Sequence, residues 1–281
     1  MIHKTSTDNQ SQNVSYDLVG VIPAAGTASR LGPLPCSKEL LPVGYHHGTG
    51  EESTYRPKVV SHYLLERMRL VNVSKAYIIL RKGKWDIPSY LGDGNHINLP
   101  IAYLMMTLPF GVPFTFDQSY PFVKEAMVVF GFPDILFKPE DAFVHLLDRQ
   151  AESDADIVLG LFPSLQPKNE DLVKFGKDDR VSKIVVKPKS SKLQHTWLIA
   201  VWTPAFTHFL HDYVAILKKT NYDNPKAITD DNFKELFLGE VFNAAIEANF
   251  RVDYVYFNTG RFIDIGTPEN LLKFTQNSWR I

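Results

Sequence analysis

Cysteine is almost missing from this chain, with Cys36 alone among 281 residues. A lone thiol cannot close an internal disulfide, so the fold must be held by its core, and a reducing cytoplasm is the expected location. An excess of charge of either sign is missing too. With 30 basic against 31 acidic residues, the chain carries neither the basic footprint of a nucleic-acid binder nor a polybasic membrane anchor, so nucleic acid and membrane are not expected partners. Long apolar runs are absent, and stretches such as Ala126 to Phe130 fall far short of the roughly 20 residues a spanning helix requires. The first sixteen residues (MIHKTSTDNQSQNVSY) lack the apolar segment of a secretory signal and read as a flexible polar tail.

What is present suffices for a full core, since 44% of the residues are hydrophobic. A prior of roughly one domain per 150 residues allows one or two domains. No internal repeat and no Pro/Gly/Ser-rich linker divides the chain, so residues 17–281 read as one domain, with a second lobe over about 163–260. The run Leu18, Val19, Val21, Ile22 is short, apolar and β-branched, as expected of a strand buried on both faces within Asp17 to Pro23. Helical spacing of Val60, Leu64 and Met68 follows, then a strand over Ala76 to Leu80. A third strand covers Ala126 to Phe130, a helix Pro139 to Gln150, and a fourth strand Ile157 to Phe162. Strands alternating with helices imply a largely parallel sheet covered on both faces, a Rossmann-like three-layer α/β/α arrangement. Further on, Leu172 to Phe175 and Val181 to Val186 read as a hairpin, which makes the sheet mixed. A helix over Asn232 to Asn249 and a strand over Val252 to Phe257 precede Thr267, Pro268 and Glu269, the N-cap, first position and acidic first turn of a last helix.

In open α/β sheets ligands bind beyond the carboxyl ends of the strands, so the stretch after the first strand, AAGTASRLGPLPCSKELLP, is the first candidate site. Small residues Ala24, Ala25 and Gly26, with Thr27, allow a polyphosphate to approach backbone N–H groups, while Arg30 and Lys38 supply fixed positive charge. The alternative is a tight turn with two solvated cations. It is not a P-loop, because no Gly-Lys-Ser/Thr closes it. Asp134 ends the segment MVVFGFPD beyond a buried strand, Asp264 sits in FIDIGTPENL, Lys187 in KIVVKPKS and Gln118 in DQSYPF. Taken singly, each aspartate could be a turn residue or a cap, and a lysine at a strand end is usually solvated.

Together these stretches resemble the sugar-1-phosphate nucleotidyltransferases, the family that includes glucose-1-phosphate thymidylyl- and uridylyltransferases. The family's L-A-A-G-x-G-T-R-L, P-K and L-L-P-V are met by Gly26, Arg30, Leu31, Lys38, Leu40, Leu41, Pro42 and Val43, with Ala28 and Ser37 in place of a glycine and a proline. The resemblance spans about Asp17 to Phe274. It implies a nucleotide-diphospho-sugar transferase fold whose second lobe holds the sugar. By the same resemblance Arg30 neutralises the triphosphate, Lys38 the α-phosphoryl group under attack, and Asp134 and Asp264 hold Mg²⁺. Lys187 would bind the sugar phosphate and Gln118 the base, while Val186 and Val123 stand where the family carries a glutamate and a glycine. A pair of carboxylates is chemically sufficient for magnesium, which keeps other positions for water and phosphate. The implied partners are a nucleoside triphosphate, dTTP or UTP, and a hexose 1-phosphate, with a homo-oligomer expected from the habits of relatives. The rival expectations are a non-catalytic nucleotide-binding relative and a glycosyltransferase of related fold. The latter would need an Asp-x-Asp motif at a strand's carboxyl end, whereas Asp154-Ala155-Asp156 precedes its strand. The polar segment Gly44 to Tyr55, with His46 and His47, reads as a surface insertion.

Overall fold

The computed structural model describes residues 16–47, 55–106, 110–221 and 235–276. Strand β1 (Leu18–Pro23) opens the chain, followed by the hairpin β2 (Pro42–His47) and β3 (Tyr55–Val59), helix α1 (Val60–Leu70), β4 (Lys75–Arg81), α2 (Asp86–Leu91) and β5 (Ile101–Met106). Short helices α3 (Val112–Asp117) and α4 (Tyr120–Val123) lead to β6 (Met127–Gly131), β7 (Ile135–Lys138), α5 (Ala142–Ser153) and β8 (Ile157–Pro163). The second lobe contributes β9 (Leu172–Phe175), β10 (Val181–Val185), β11 (His195–Trp202), α6 (Pro204–Asn221), α7 (Leu238–Glu247) and β12 (Val252–Tyr256). Strand β13 (Arg261–Asp264) and helix α8 (Pro268–Thr275) close the described chain.

Among the described residues nine strands form one sheet, ordered β10-β9-β11-β6-β1-β4-β5, with β8 on β11 and β12 on β8. Strands β6, β1, β4 and β5 run parallel, while β11 is antiparallel to β6 and to β8, so the sheet is mixed with a parallel centre. Alternate residues of each strand face opposite layers. Ile22, Val129 and Val158 pack with Leu64 and Met68 of α1 and Phe143 of α5. Val21, Val128 and Leu159 pack on the other side with Phe114 of α3, Phe206 of α6 and Phe242 of α7. Each such side chain, taken fully out of water, contributes about 1.5–3 kcal/mol before entropy is subtracted. The result is the three-layer α/β/α fold expected from the strand–helix alternation.

The chain leaves β1 in one direction through β4 and β5, then returns to place β6 on the other side of β1. This reversal opens a crevice at the carboxyl ends of β1 and β6, which is where α/β sheets hold ligands. A small third core lies beneath it. There Val43, Val60, Leu136, Ile263 and Ile265 pack under the two-stranded ladder β13–β7.

Several expected elements differ in detail. The helix expected from Pro139 begins at Ala142, because the chain before it is taken up by β7. The helix expected from Asn232 begins at Leu238; Phe237 is extended, and its N–H donates to the Glu240 carboxylate at 3.0 Å, which fixes the first turn there. Residues 232–234 lie outside the described residues. Of the segment read as an insertion, Gly44 to His47 form the end of β2 and Tyr55 begins β3, with His46 opposite Arg56; residues 48–54 lie outside the described residues. Asp154 ends α5 in a left-handed conformation and the Asp156 carboxylate accepts the Arg251 N–H at 2.7 Å, so this Asp-x-Asp spelling is a helix-to-strand turn.

Candidate active site

The crevice is built from three loops. After β1, the N–H of Ala24 donates to Ile79 O at 2.9 Å, which carries the chain off the sheet edge and presents Ala25, Gly26 and Thr27 toward solvent. Ala28 then adopts φ 56°, the left-handed region that favours glycine, and turns the chain into the short helical turn Ser29–Leu31 bearing Arg30. A second turn, Lys38–Leu40, brings Lys38 back beneath this loop. A methyl group built on Gly26 would lie 3.8 Å from Lys38 Nζ, so loop and lysine face each other closely.

The second loop follows β6 and ends at Asp134, and the third follows β13, whose last residue is Asp264. Asp264 is registered opposite Ile135 in the β13–β7 ladder, and the Ile265 N–H donates to Asp134 O at 3.1 Å. Backbone pairing thereby joins two aspartates that are 264 − 134 = 130 positions apart. Lys38 Nζ donates to Asp134 Oδ2 at 2.5 Å, Arg30 Nη2 lies 3.6 Å from Asp264 Oδ2, and Asp264 Oδ1 accepts the Gly266 N–H at 2.7 Å.

Burial and neighbouring charge compete here. It pushes the Asp134 carboxyl up, but the Lys38 ammonium and its hydrogen bond outweigh this and hold the group below the usual carboxylate range. Asp264 goes the other way, raised by burial and then by the neighbouring Asp134 charge. Lys38 loses from burial but gains more from Asp134, Glu39 and Asp264, so its ammonium is stabilised. Two carboxylates held this close repel, and a divalent cation between them would relieve both. Among the described residues no group of three or more His, Cys, Asp or Glu side chains could hold a metal, so the pair would act with water and ligand oxygens, as suits magnesium.

The structure therefore brings Arg30, Lys38, Asp134 and Asp264 together beside the loop of Ala24, Ala25, Gly26 and Thr27. Lys187 stands on the second lobe just past β10, at φ 37°, its ammonium 3.9 Å over the ring of Phe237. Its hairpin lies on the same side of the crevice, for Leu172 pairs with Thr196, and Thr196 lies three residues before Ile199, the partner of Gly131, on a strand antiparallel to β6. Gln118 is not brought to this group. It is the exposed C-cap of α3, and the chain after it runs to Met127, whose N–H donates to Asp17 O at the opposite, amino end of β1. A short sequence match carries no information about where along a helix it falls.

Four residues escaped the sequence reading. Glu39 and Lys84 form a buried ion pair under Lys38, and Asp86 grips Ser37. Asp171, at the entry to β9, is raised to about 6 by burial against the opposing pull of Lys187, and its Oδ1 is covered without a hydrogen-bond partner. Glu39 was visible as an acidic residue beside Lys38; nothing in the sequence linked it to position 84. Burial raises the Cys36 thiol as well, which keeps it protonated and a poor nucleophile. No described helix is long and apolar enough to cross a membrane.

A crevice at the carboxyl ends of parallel strands that sets two cations beside two converging carboxylates offers charge of both signs to a bound polyanion and its counter-cation. The chain belongs to the nucleotidyl transferase family, whose model matches residues 19–279. It is similar to the low-salt glycan biosynthesis nucleotidyltransferase Agl11 of Haloferax volcanii, at 22% identity over 260 residues. That match takes in 92% of this chain but spans only 65% of the relative's length. A Bacillus anthracis structure assigned as a glucose-1-phosphate thymidylyltransferase, in complex with sucrose, superposes with a TM-score of 0.74 at 20% identity. The alignment covers 94% of this chain and 96% of that one, and it establishes a shared fold.

Proposed function

We propose that this protein joins a nucleoside triphosphate, dTTP or UTP, to a hexose 1-phosphate, with glucose 1-phosphate the first candidate, releasing pyrophosphate in a magnesium-dependent cytoplasmic reaction. One observation carries the reading: Asp134 and Asp264 converge on Lys38 and Arg30 beneath a small-residue loop at the switch point of the sheet. The name of one relative, a glycan-biosynthesis nucleotidyltransferase, supports the reaction class, and that of the other, assigned to thymidylyl transfer onto glucose 1-phosphate, supports dTTP and that sugar.

In this reading a phosphate oxygen of the sugar 1-phosphate attacks the α-phosphorus while the bond to pyrophosphate breaks on the opposite side. The nucleophile arrives as an anion and pyrophosphate departs as one, so no proton need move and no general base is required. The protein's work is to hold two repelling anions together. Lys38, locked on Asp134, sets a fixed charge at the transferred phosphoryl group. Arg30, its side chain 57% exposed, reaches the leaving pyrophosphate, and the backbone of Ala24 to Thr27 cradles the triphosphate. Lys187 exchanges the face of Phe237 for the sugar phosphate. Asp134 and Asp264 would hold the magnesium ion, which when bound supplies further positive charge to phosphate oxygens. Gln118 has no role in this arrangement.

The test is pyrophosphate release with magnesium over a panel of nucleotides and sugar 1-phosphates. Release that needs both substrates is expected. Asp134→Ala and Asp264→Ala should each cut turnover by about 10³-fold or more in a folded protein, and Lys187→Ala should raise KM for the sugar phosphate more than for the nucleotide. Nucleotide binding with no release from any pair would favour a regulatory binding protein instead.

A further inference from the structure

Lys38 is flanked by two anchors, one from the loop that follows β4 and one from the first residue of α2. On its amino side the Ser37 N–H donates to Asp86 Oδ2 at 2.6 Å and the Ser37 hydroxyl to Asp86 Oδ1 at 2.8 Å. On its carboxyl side Lys84 Nζ donates to both oxygens of Glu39, at 2.7 and 2.8 Å, in a pair that is 1% and 7% exposed. Residues 37, 38 and 39 are thus held at both ends by residues 84 and 86, with Lys38 between them.

The ion pair is poorly explained as a stabilising device. Burial pushes the Glu39 carboxyl up and the Lys84 ammonium down, so each partner resists its own charge. Buried pairs of this kind can often be exchanged for apolar residues of similar volume with no loss of stability. Apolar side chains would also fill the space under the turn. They could not fix the rotation of a three-residue helical turn, which two parallel hydrogen bonds to one carboxylate do. A lysine side chain is long and flexible, and a cation contributes to a transition state only if it is already in place when charge develops.

We propose that Glu39 and Lys84, with Ser37 and Asp86 on the other flank, are positioning residues that hold the turn of Lys38 so that its ammonium meets the phosphoryl group in transfer. The inference rests on the nucleotidyl-transfer reading above.

The experiment compares wild type, Lys84→Met, the double variant Glu39→Met/Lys84→Met, and Asp86→Ala, by melting temperature and by steady-state pyrophosphate release. Lys84→Met leaves a buried carboxylate alone and should melt at lower temperature. The double variant should regain the wild-type melting temperature to within about 5 °C while kcat stays at least about 10-fold down and both KM values move less than about 3-fold. Wild-type kcat in the double variant overturns the proposal. Asp86 is a partly exposed anchor where folding is not at risk; its variant should lose about 3- to 10-fold in kcat at unchanged KM, and an unaltered kcat there overturns the proposal even if the double variant cannot be purified. A wild type silent with every substrate pair sinks the nucleotidyl-transfer reading and leaves Lys38 nothing to be positioned for. An active wild type with an equally active double variant removes this inference alone.

Discussion

Gly266 has no side chain, and the space where one would begin is already occupied. A Cβ there would stand 2.8 Å from Asp264 Oδ1, 2.9 Å from Asp134 Oδ2 and 3.4 Å from Arg30 Nη2. Gly266→Ala should therefore push the two carboxylates apart while leaving the rest of the fold untouched. The expected outcome is a loss of about 10-fold or more in turnover with a melting temperature within a few degrees of wild type; normal turnover would show that the carboxylate pair can spread at no cost. The glycine is plain to see in FIDIGTPENL, but its purpose is not, because the atoms that exclude a methyl come from position 134. Ala28 shows the reverse case. The sequence departs from the family's glycine there, yet the chain keeps a left-handed φ of 56°, at a cost of about 1 kcal/mol for an alanine.

Elements with a single buried character were legible from sequence: β1, β4, β6 and β8 are built on short apolar runs, β12 is marked by its valines and tyrosines, and the spacing of α1 is plainly helical. Strand β11 was not, since an apolar run that leads straight into a helix carries no period to separate strand from helix. The hairpin β9–β10 was legible, but the carboxylate at its entry was not. Asp171 sits beside the first turn of α7, where a Cβ on Gly239 would lie 3.1 Å from Asp171 Oδ2, and helix and hairpin are far apart in sequence. Its folded pKa, about 6, lies above the ordinary 3.8. Below pH 4 the group is protonated in both states and costs nothing. Between pH 4 and 6 the unfolded chain ionises first, so stability falls as pH rises, and above 6 the full cost of about 2–3 kcal/mol is in place. Asp171→Asn should therefore stabilise the protein at pH 8 and have little effect near pH 4, as measured by denaturant unfolding at the two pH values. Equal effects at both would mean that the carboxyl is not buried at a cost.

Across the whole molecule, the site depends on the smallest of three cores. The ladder β13–β7 lies outside the nine-stranded sheet; one face rests on the cluster around Leu136, Ile263 and Ile265, and the other, through Phe137 and Phe262, on the core shared with α1 and α5. Ile265 is fully buried, and its N–H holds the backbone of Asp134. Regions with little buried apolar surface of their own open before the body of a protein does. Ile265→Ala removes about 2–5 kcal/mol of packing, and most of that loss should fall on the ladder. On heating, this variant should lose activity several degrees below its main circular-dichroism transition, whereas the two should coincide in wild type. The motifs at both ends of the chain were legible as a pair in sequence; that their meeting depends on a separate small core was not.

The joining of positions 134 and 264 also bears on when activity can first appear. Synthesis runs from the amino end, and every strand of the main sheet is complete by Tyr256. A chain stopped after Tyr256 would therefore hold every described strand of the central sheet and the loop of Ala24 to Thr27 without the second aspartate. Such a chain has Lys38 and Asp134 but not Asp264, so on the proposed assignment it would be inactive until the ladder β13–β7 closes.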